Sequence, residues 1–406
     1  MSILLPNLSG NYPFPVVFEV TNSQPNKVPS YRLGSRFAYA KLPRNMTAPL
    51  RFLGFAALAA ALLSPVRGAT TTTFAGNGQA GFSGDGGPAT AAQINNPFGV
   101  VRGPDGNIWF CEYTGQRVRK VAADGKIQTV AGSGQKGHTG DGGPALQAAF
   151  NLPHEIRFDK AGDLYIVDMA NHAVRKVALK TGVITTFAGT GKPGYSGDGG
   201  PAKDATFKQP HSIQFDPAGD LFICDIGNHV IRKVDMNSGR ISTFAGTGKA
   251  GPTPDGSPIA GTPLNGPRSL DFDAAGNLWL ATREGNQVFK FDLKAGKIQH
   301  IAGTGKKGFT GHGGPAKEAT LSGPKGIAVA PNGNVYLADT ESHSVRMVDL
   351  KKGTLELVCG TGEKGDGPDG DPLKCKLARL HGLWVDRDGS VFIGDSEAHR
   401  VRVMRP

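Results

Sequence analysis

Five residues able to do chemistry stand in one column of this 406-residue chain. Each follows a marker that recurs as Pro97, Pro153, Pro210, Pro267 and Pro324, with Leu380 in the sixth place, at steps of 56, 57, 57, 57 and 56 residues. The residues behind the marker are Phe98, His154, His211, Arg268, Lys325 and His381, and Glu155 follows His154. Three imidazoles and two fixed cations brought to one place repel one another unless the histidines are neutral, or an anion or a metal ion lies among them. The column therefore reads as a binding site made of His154, Glu155, His211, Arg268, Lys325 and His381. A polar rim of ordinary surface histidines is the alternative, and it asks for no ligand.

The repeat is what brings such distant positions together. A second marker, a tripeptide of the Phe-Ala-Gly type, ends at Gly76, Gly132, Gly189, Gly246, Gly303 and Gly360 and keeps the same period. Periods of this length belong to solenoids, propellers and arrays. Within a unit the proline is followed by a short apolar strand, a Gly turn and a strongly β-prone run such as Asp163-Leu-Tyr-Ile-Val167. A basic-apolar strand such as Arg117-Val-Arg-Lys-Val121 and the strand Lys126-Ile-Gln-Thr-Val-Ala131 complete it. Six units of four strands predict an all-β chain folded as a six-bladed β-propeller of four-stranded blades. The marker opens the innermost strand, which places all six residues behind it at one mouth of the central channel. The first tripeptide strand precedes the first proline, and the chain stops one strand short after Val401-Arg-Val-Met404. An N-terminal strand is thus expected to complete the last blade and close the ring, leaving no open edge.

The units resemble NHL repeats, whose order of proline, apolar strand, Gly turn, apolar strand ending in Asp, and basic-apolar strand is met by Pro210 to Val234 and holds in all six units. Their Gly-rich insertions are similar to the propeller segments of secreted bacterial proteins and of teneurin-type adhesion molecules. The resemblance implies the propeller. For function it implies either an interaction module or a metal-dependent lyase or lactonase, because a fold of this kind does not fix a chemistry. Pro153-His-Glu, Pro210-His-Ser and Leu380-His-Gly resemble the zinc-histidine contexts of the peptide-amidating lyase, itself an NHL propeller. That likeness implies a zinc ion held by His154, His211 and His381 with the fourth position open. His154 and His211 fall on adjacent blades with His381 farther round, and the lyase's catalytic Tyr and Arg find no matching motif.

Columns that recur in nearly every unit call for a different reading. Asp168, Asp225, Asp339 and Asp395 share a column with Glu112 and Thr282; His172, His229, His343 and His399 share one with Gln116 and Asn286. Arg119, Arg175, Arg232, Arg346 and Arg402 recur beside them. A pair present on nearly every spoke cannot all belong to one active site, so these side chains are expected to satisfy turn backbone groups between blades. The insertion's Asp85, Asp141, Asp198, Asp255 and Asp369 give one carboxylate per loop, too few for calcium, and are expected to cap the short helical turns begun at Pro88 and Pro201. The Gly-Lys-Ser/Thr ending of a phosphate loop is missing.

Residues 1–45 show no periodicity and are expected to be unstructured, a start mis-assigned ahead of Met46. Residues 46–69 have a signal peptide's layout, with Arg51, an apolar run from Phe52 to Leu63 and small residues near Gly68. Secretion or a periplasmic location follows, with residues 70–406 as the propeller and no transmembrane segment in the mature chain. The whole chain carries +11, but 38 basic and 33 acidic residues remain beyond residue 69, and no basic run accompanies them. Nucleic-acid binding is excluded on that ground. A monomer presenting its loop face to a protein or glycan is expected; a metal-dependent lyase or hydrolase at the channel mouth is the alternative. Cys111 and Cys224 share a strand column with small apolar residues and read as buried fillers. Cys359 and Cys375 fall in one unit, where other units carry Ala, and are expected to form a disulfide.

Overall fold

The computed structural model describes residues 68–406. The stretch 1–45 and all of the expected signal segment except Gly68 and Ala69 lie outside the described residues. Six four-stranded antiparallel sheets follow one another around a central channel. In blade 2 the strands are Pro153–Phe158, Leu164–Asp168, Ala173–Ala178 and Val183–Ala188, from the channel outwards. Blade 1 starts with the short Val101–Arg102 and blade 6 with Leu383–Val385. Second strands such as Ile108–Glu112, Leu164–Asp168 and Leu221–Asp225 are buried at every position. A strand sandwiched between two neighbouring blades has no solvent face, which is why runs like Leu221-Phe-Ile-Cys224 replace alternation. Six apolar clusters fill the gaps between adjoining blades; Trp109, Phe150 and Ile156 belong to the one between blades 1 and 2. At about 1.5–3 kcal/mol for each fully buried large apolar side chain, these gaps are the main adhesive of the ring.

The ring closes as expected. Thr70–Ala75 is the outer strand of blade 6, antiparallel to Arg400–Arg405, from Thr70 opposite Arg405 to Ala75 opposite Val401. Beside it Cys359 and Cys375 are fully buried and carry free thiols, so the disulfide expected from the sequence is not a bond in this structure. The two are nonetheless neighbours: Cys375 and then burial push the Cys359 thiol far up, and the Thr71 hydroxyl lies 3.6 Å from Cys359 Sγ. Cys111 and Cys224 are buried fillers.

The repeated columns are structural. Each residue of the histidine column has positive φ and accepts the backbone N–H of the residue just before the next blade's marker. His172 Nδ1 takes the Gln209 N–H at 3.0 Å, and Gln116 Oε1 the Leu152 N–H at 2.8 Å. The acidic column works within a blade, where Asp168 accepts from Asn151 N and Asp225 from Lys208 N, both at 2.7 Å. The insertion aspartates do not do what the sequence suggested. The turns at Ala89–Ala91 and Ala202–Asp204 have no side-chain cap. Asp85, Asp141 and Asp198 instead accept from Arg119, Arg175 and Arg232 at 2.7, 2.6 and 2.6 Å, fastening each loop to its blade's third strand. Charge attraction to a buried guanidinium outweighs a weak cap on a turn of three residues.

Candidate functional site

A bulge aims the asymmetric column at the channel. Pro210 pairs with Asp225 and Ser212 with Cys224, so His211 is an extra residue in its strand; Arg268 and Lys325 are extra in the same way. Such a bulge turns a side chain out of the sheet's alternation. Glycine at the next position lets neighbouring strands come close. A Cβ at Gly326 would stand 2.2 Å from the His381 carbonyl oxygen, so blade 5 can meet blade 6 only with glycine there.

The side chains gather as two contrasting walls. On one, Tyr113, Phe98 and His381 form a continuous stack, with Phe98 4.4 Å from Tyr113 at 7° and 3.8 Å from His381 at 16°. His154 stands edge-on to Phe98 at 4.9 Å and to His211 at 4.5 Å, with His381 at 6.4 Å. The other wall is cationic. Arg268 is 3% exposed, its Nε and Nη1 are sealed from solvent, and it makes no hydrogen bond among the described residues. Lys325, also buried, bonds Glu341 at 2.8 Å, and Glu341 is shared with Arg379 at 2.8 Å.

Electrostatics answers the repulsion problem that the sequence posed. Burial, followed by the nearby Arg268, His381 and Lys325, holds His154 well below the ordinary imidazole range; burial, Lys325 and Arg268 do the same to His381. His154 and His381 are therefore neutral at pH 7, and hydrogen bonds place the Nδ1 protons of two rings. His211 Nδ1 faces the Gln209 carbonyl at 2.7 Å and must donate to it. Ser396 donates to the Pro97 carbonyl at 2.8 Å, so its oxygen accepts from His381 Nδ1 at 2.9 Å. His381, neutral with its proton on Nδ1, thus presents an unprotonated Nε2. Burial and then Arg283 bring Arg268 down to about 9, and burial brings Lys325 down to about 8.

The structure brings Phe98, His154, His211, Arg268, Lys325 and His381 to one mouth but not Glu155. That carboxylate pairs with Arg157, whose side chain lines a separate cavity of about 300 Å³ with Gln214, Asp271 and Trp384. No group of three His, Cys, Asp or Glu side chains among the described residues is arranged to hold a metal. Two participants escaped the sequence reading. Tyr113 and Arg283 occupy the position after the acidic column, where the other blades have Met169, Ile226, Thr340 and Ser396. That column is as asymmetric as the first, and comparing it blade by blade is the signal that would have found them.

Comparison with known proteins agrees with this architecture. The model of the teneurin NHL domain matches residues 291–378. Human NHL repeat-containing protein 2 is 28% identical over 287 residues, covering 63% of this chain and 39% of that protein. The chain is an NHL-repeat β-propeller. Protein SUPPRESSOR OF QUENCHING 1, chloroplastic, of Arabidopsis thaliana is 29% identical to this NHL propeller over 300 residues, covering 69% of it and 28% of the plant protein. The propeller thus spans well under half the length of both relatives. Among solved structures, an auxiliary nutrient binding protein from Bacteroides thetaiotaomicron has the same fold, with a TM-score of 0.61 at 14% identity over 83% of this chain and 76% of that one. No helix among the described residues is long and apolar enough to cross a membrane.

Proposed function

We propose that this NHL propeller is an extracytoplasmic binding module that receives its ligand at the channel mouth lined by Phe98, Tyr113, His154, His211, Arg268, Lys325 and His381. The observation that carries the reading is Arg268: a buried guanidinium whose Nε and Nη1 are sealed from water with no hydrogen-bond partner among the described residues. Burying an uncompensated charge is unfavourable by several kcal/mol, and folded proteins keep such groups where a ligand completes them. The blade scaffold has no use for it, because its own arginines sit elsewhere and bond the acids and carbonyls of their blades. The signal-like layout of residues 46–69 supports the location. A fragment screen by ligand-observed NMR, repeated with Arg268→Gln and Tyr113→Ala, tests the site: hits should lose binding in one or both variants. Hits indifferent to both, or stoichiometric zinc in the purified chain, would contradict the reading, the latter in favour of a metal-dependent lyase or hydrolase.

A further inference from the structure

Resting on the channel-mouth reading, we infer that the ligand is a monocarboxylate with a flat apolar body, its carboxylate on Arg268 and its body along the Tyr113–Phe98–His381 stack. The charges around Arg268 leave one position to fill. Glu284 is engaged by Arg283 at 3.1 Å, Glu155 by Arg157, Glu341 by Lys325 and Arg379, and Glu397 by Arg379 and Lys364. Every acid around the mouth is thus already paired, and Arg268 is the buried cation there that bonds none of them among the described residues. A buried cation without a bonded acid calls for an anion; a second cation is present at Lys325, but Glu341 already answers it. The planar guanidinium offers its donors as a fork that suits two carboxylate oxygens.

The opposite wall settles the rest of the molecule. Tyr113 belongs to blade 1 and Arg268 to blade 4, which face each other across a ring of six, and the Arg268 charge still acts on the Tyr113 phenol. An apolar ring fits against the half-buried face of Tyr113, the outer member of the stack, where it gains stacking area. The free Nε2 of His381 adds an acceptor for a hydroxyl or amide N–H on the ligand.

Calorimetry of the full chain separates this inference from the reading beneath it. Four probes are titrated: 3-phenylpropanoate, 3-phenylpropanamide, and the tripeptide Gly-Gly-Phe with a free or an amidated terminus. At least one acid is expected to bind, with its amide weaker by about tenfold or more, about 1.4 kcal/mol. Arg268→Gln should erase that difference without touching the amide, and Tyr113→Ala should weaken both. Binding by the free acid assigns the carboxylate to a small metabolite-sized ligand, and binding by the tripeptide to a chain terminus. Acid and amide binding alike, or an acid preference that survives Arg268→Gln, overturns the inference; if both then still respond to Tyr113→Ala the mouth reading stands, and if neither does it falls too. No binding by any probe overturns the inference. The acid–amide comparison uses the wild-type chain, so it holds even if a variant fails to fold.

Discussion

Arg175 and Arg268 are almost equally withdrawn from water, yet the propeller treats them in opposite ways. Arg175 bonds Asp141 at 2.6 Å, the Thr139 carbonyl at 3.1 Å and Asp168 at 3.4 Å, and Arg119, Arg232, Arg346 and Arg402 are engaged in the same manner. Arg268 has no hydrogen bond among the described residues. A blade that has no structural use for the clamp drops it: blade 4 carries Thr282 and Phe289 in the acid and arginine columns, so both partners are gone together. Symmetry thus marks groups that hold the fold, and broken symmetry marks groups kept at the fold's expense. The difference predicts that removing members of the two sets has opposite effects.

The largest effect belongs to the ring as a whole. Deleting residues 70–76 removes the outer strand of blade 6 and bares the edge of Arg400–Arg405. The truncated chain is expected to lose cooperative unfolding in a denaturant titration; a transition at the full chain's midpoint would mean that the closing strand is dispensable. Next comes Arg175→Leu, which strands the buried Asp168, a carboxyl that burial already pushes up to about 6. Breaking one partner of such a pair is expected to cost about 3–5 kcal/mol by chemical denaturation. A loss under about 1 kcal/mol would reduce the clamp to an exposed ion pair in energetic terms.

The cysteine pair probes the same seam as the closing strand. Oxidation of Cys359 to Cys375 would close a loop of 16 residues and is expected to stabilise the ring by about 3 kcal/mol in the chain-entropy model. Non-reducing mass spectrometry after mild oxidation should show the loss of two hydrogens and a raised Tm; two thiols still reactive in the denatured, oxidised sample would exclude it. A smaller effect lies in pH. His154 and His381 have depressed pKa values in the fold, so they stay neutral there while the unfolded chain protonates them below about 6.5. Their contribution is therefore present above pH 6.5 and lost as pH falls towards the folded values. Buried acids such as Asp225, pushed up to about 7, titrate with the opposite sign but are common to both proteins in a comparison. Between pH 7.5 and 5.5 the double variant His154→Gln/His381→Gln should lose about 2–3 kcal/mol less stability than wild type. Equal losses would place both histidines in water.

The parts of this molecule that repeat were legible and the parts that do not were legible only as positions. The period of 56 or 57 residues supplied blade number, strand order and closure, because one unit written six times samples its own constraints. The backbone role of His172 and its equivalents followed from the same reasoning. What the repeat could not supply was contact between columns. The bond from Asp85 to Arg119 joins residues 34 apart through two strands, and a helical turn beginning three residues after Asp85 was the nearer partner on paper. Tyr113 facing Arg268 depends on channel width, which no single unit encodes. The ring orientations at the mouth were out of reach for a related reason. Three histidines in one column share a ring, but Ser396 and the Gln209 carbonyl, which lie outside that column, decide where their nitrogens point.

The account stands most directly on the stability of Arg268→Gln without ligand, measured by denaturant titration beside wild type. If Arg268 is a buried cation awaiting its counter-charge, the variant is more stable than wild type by about 1–2 kcal/mol. An equal or lower stability would contradict it, for it would mean that the protein already supplies Arg268 with what it needs.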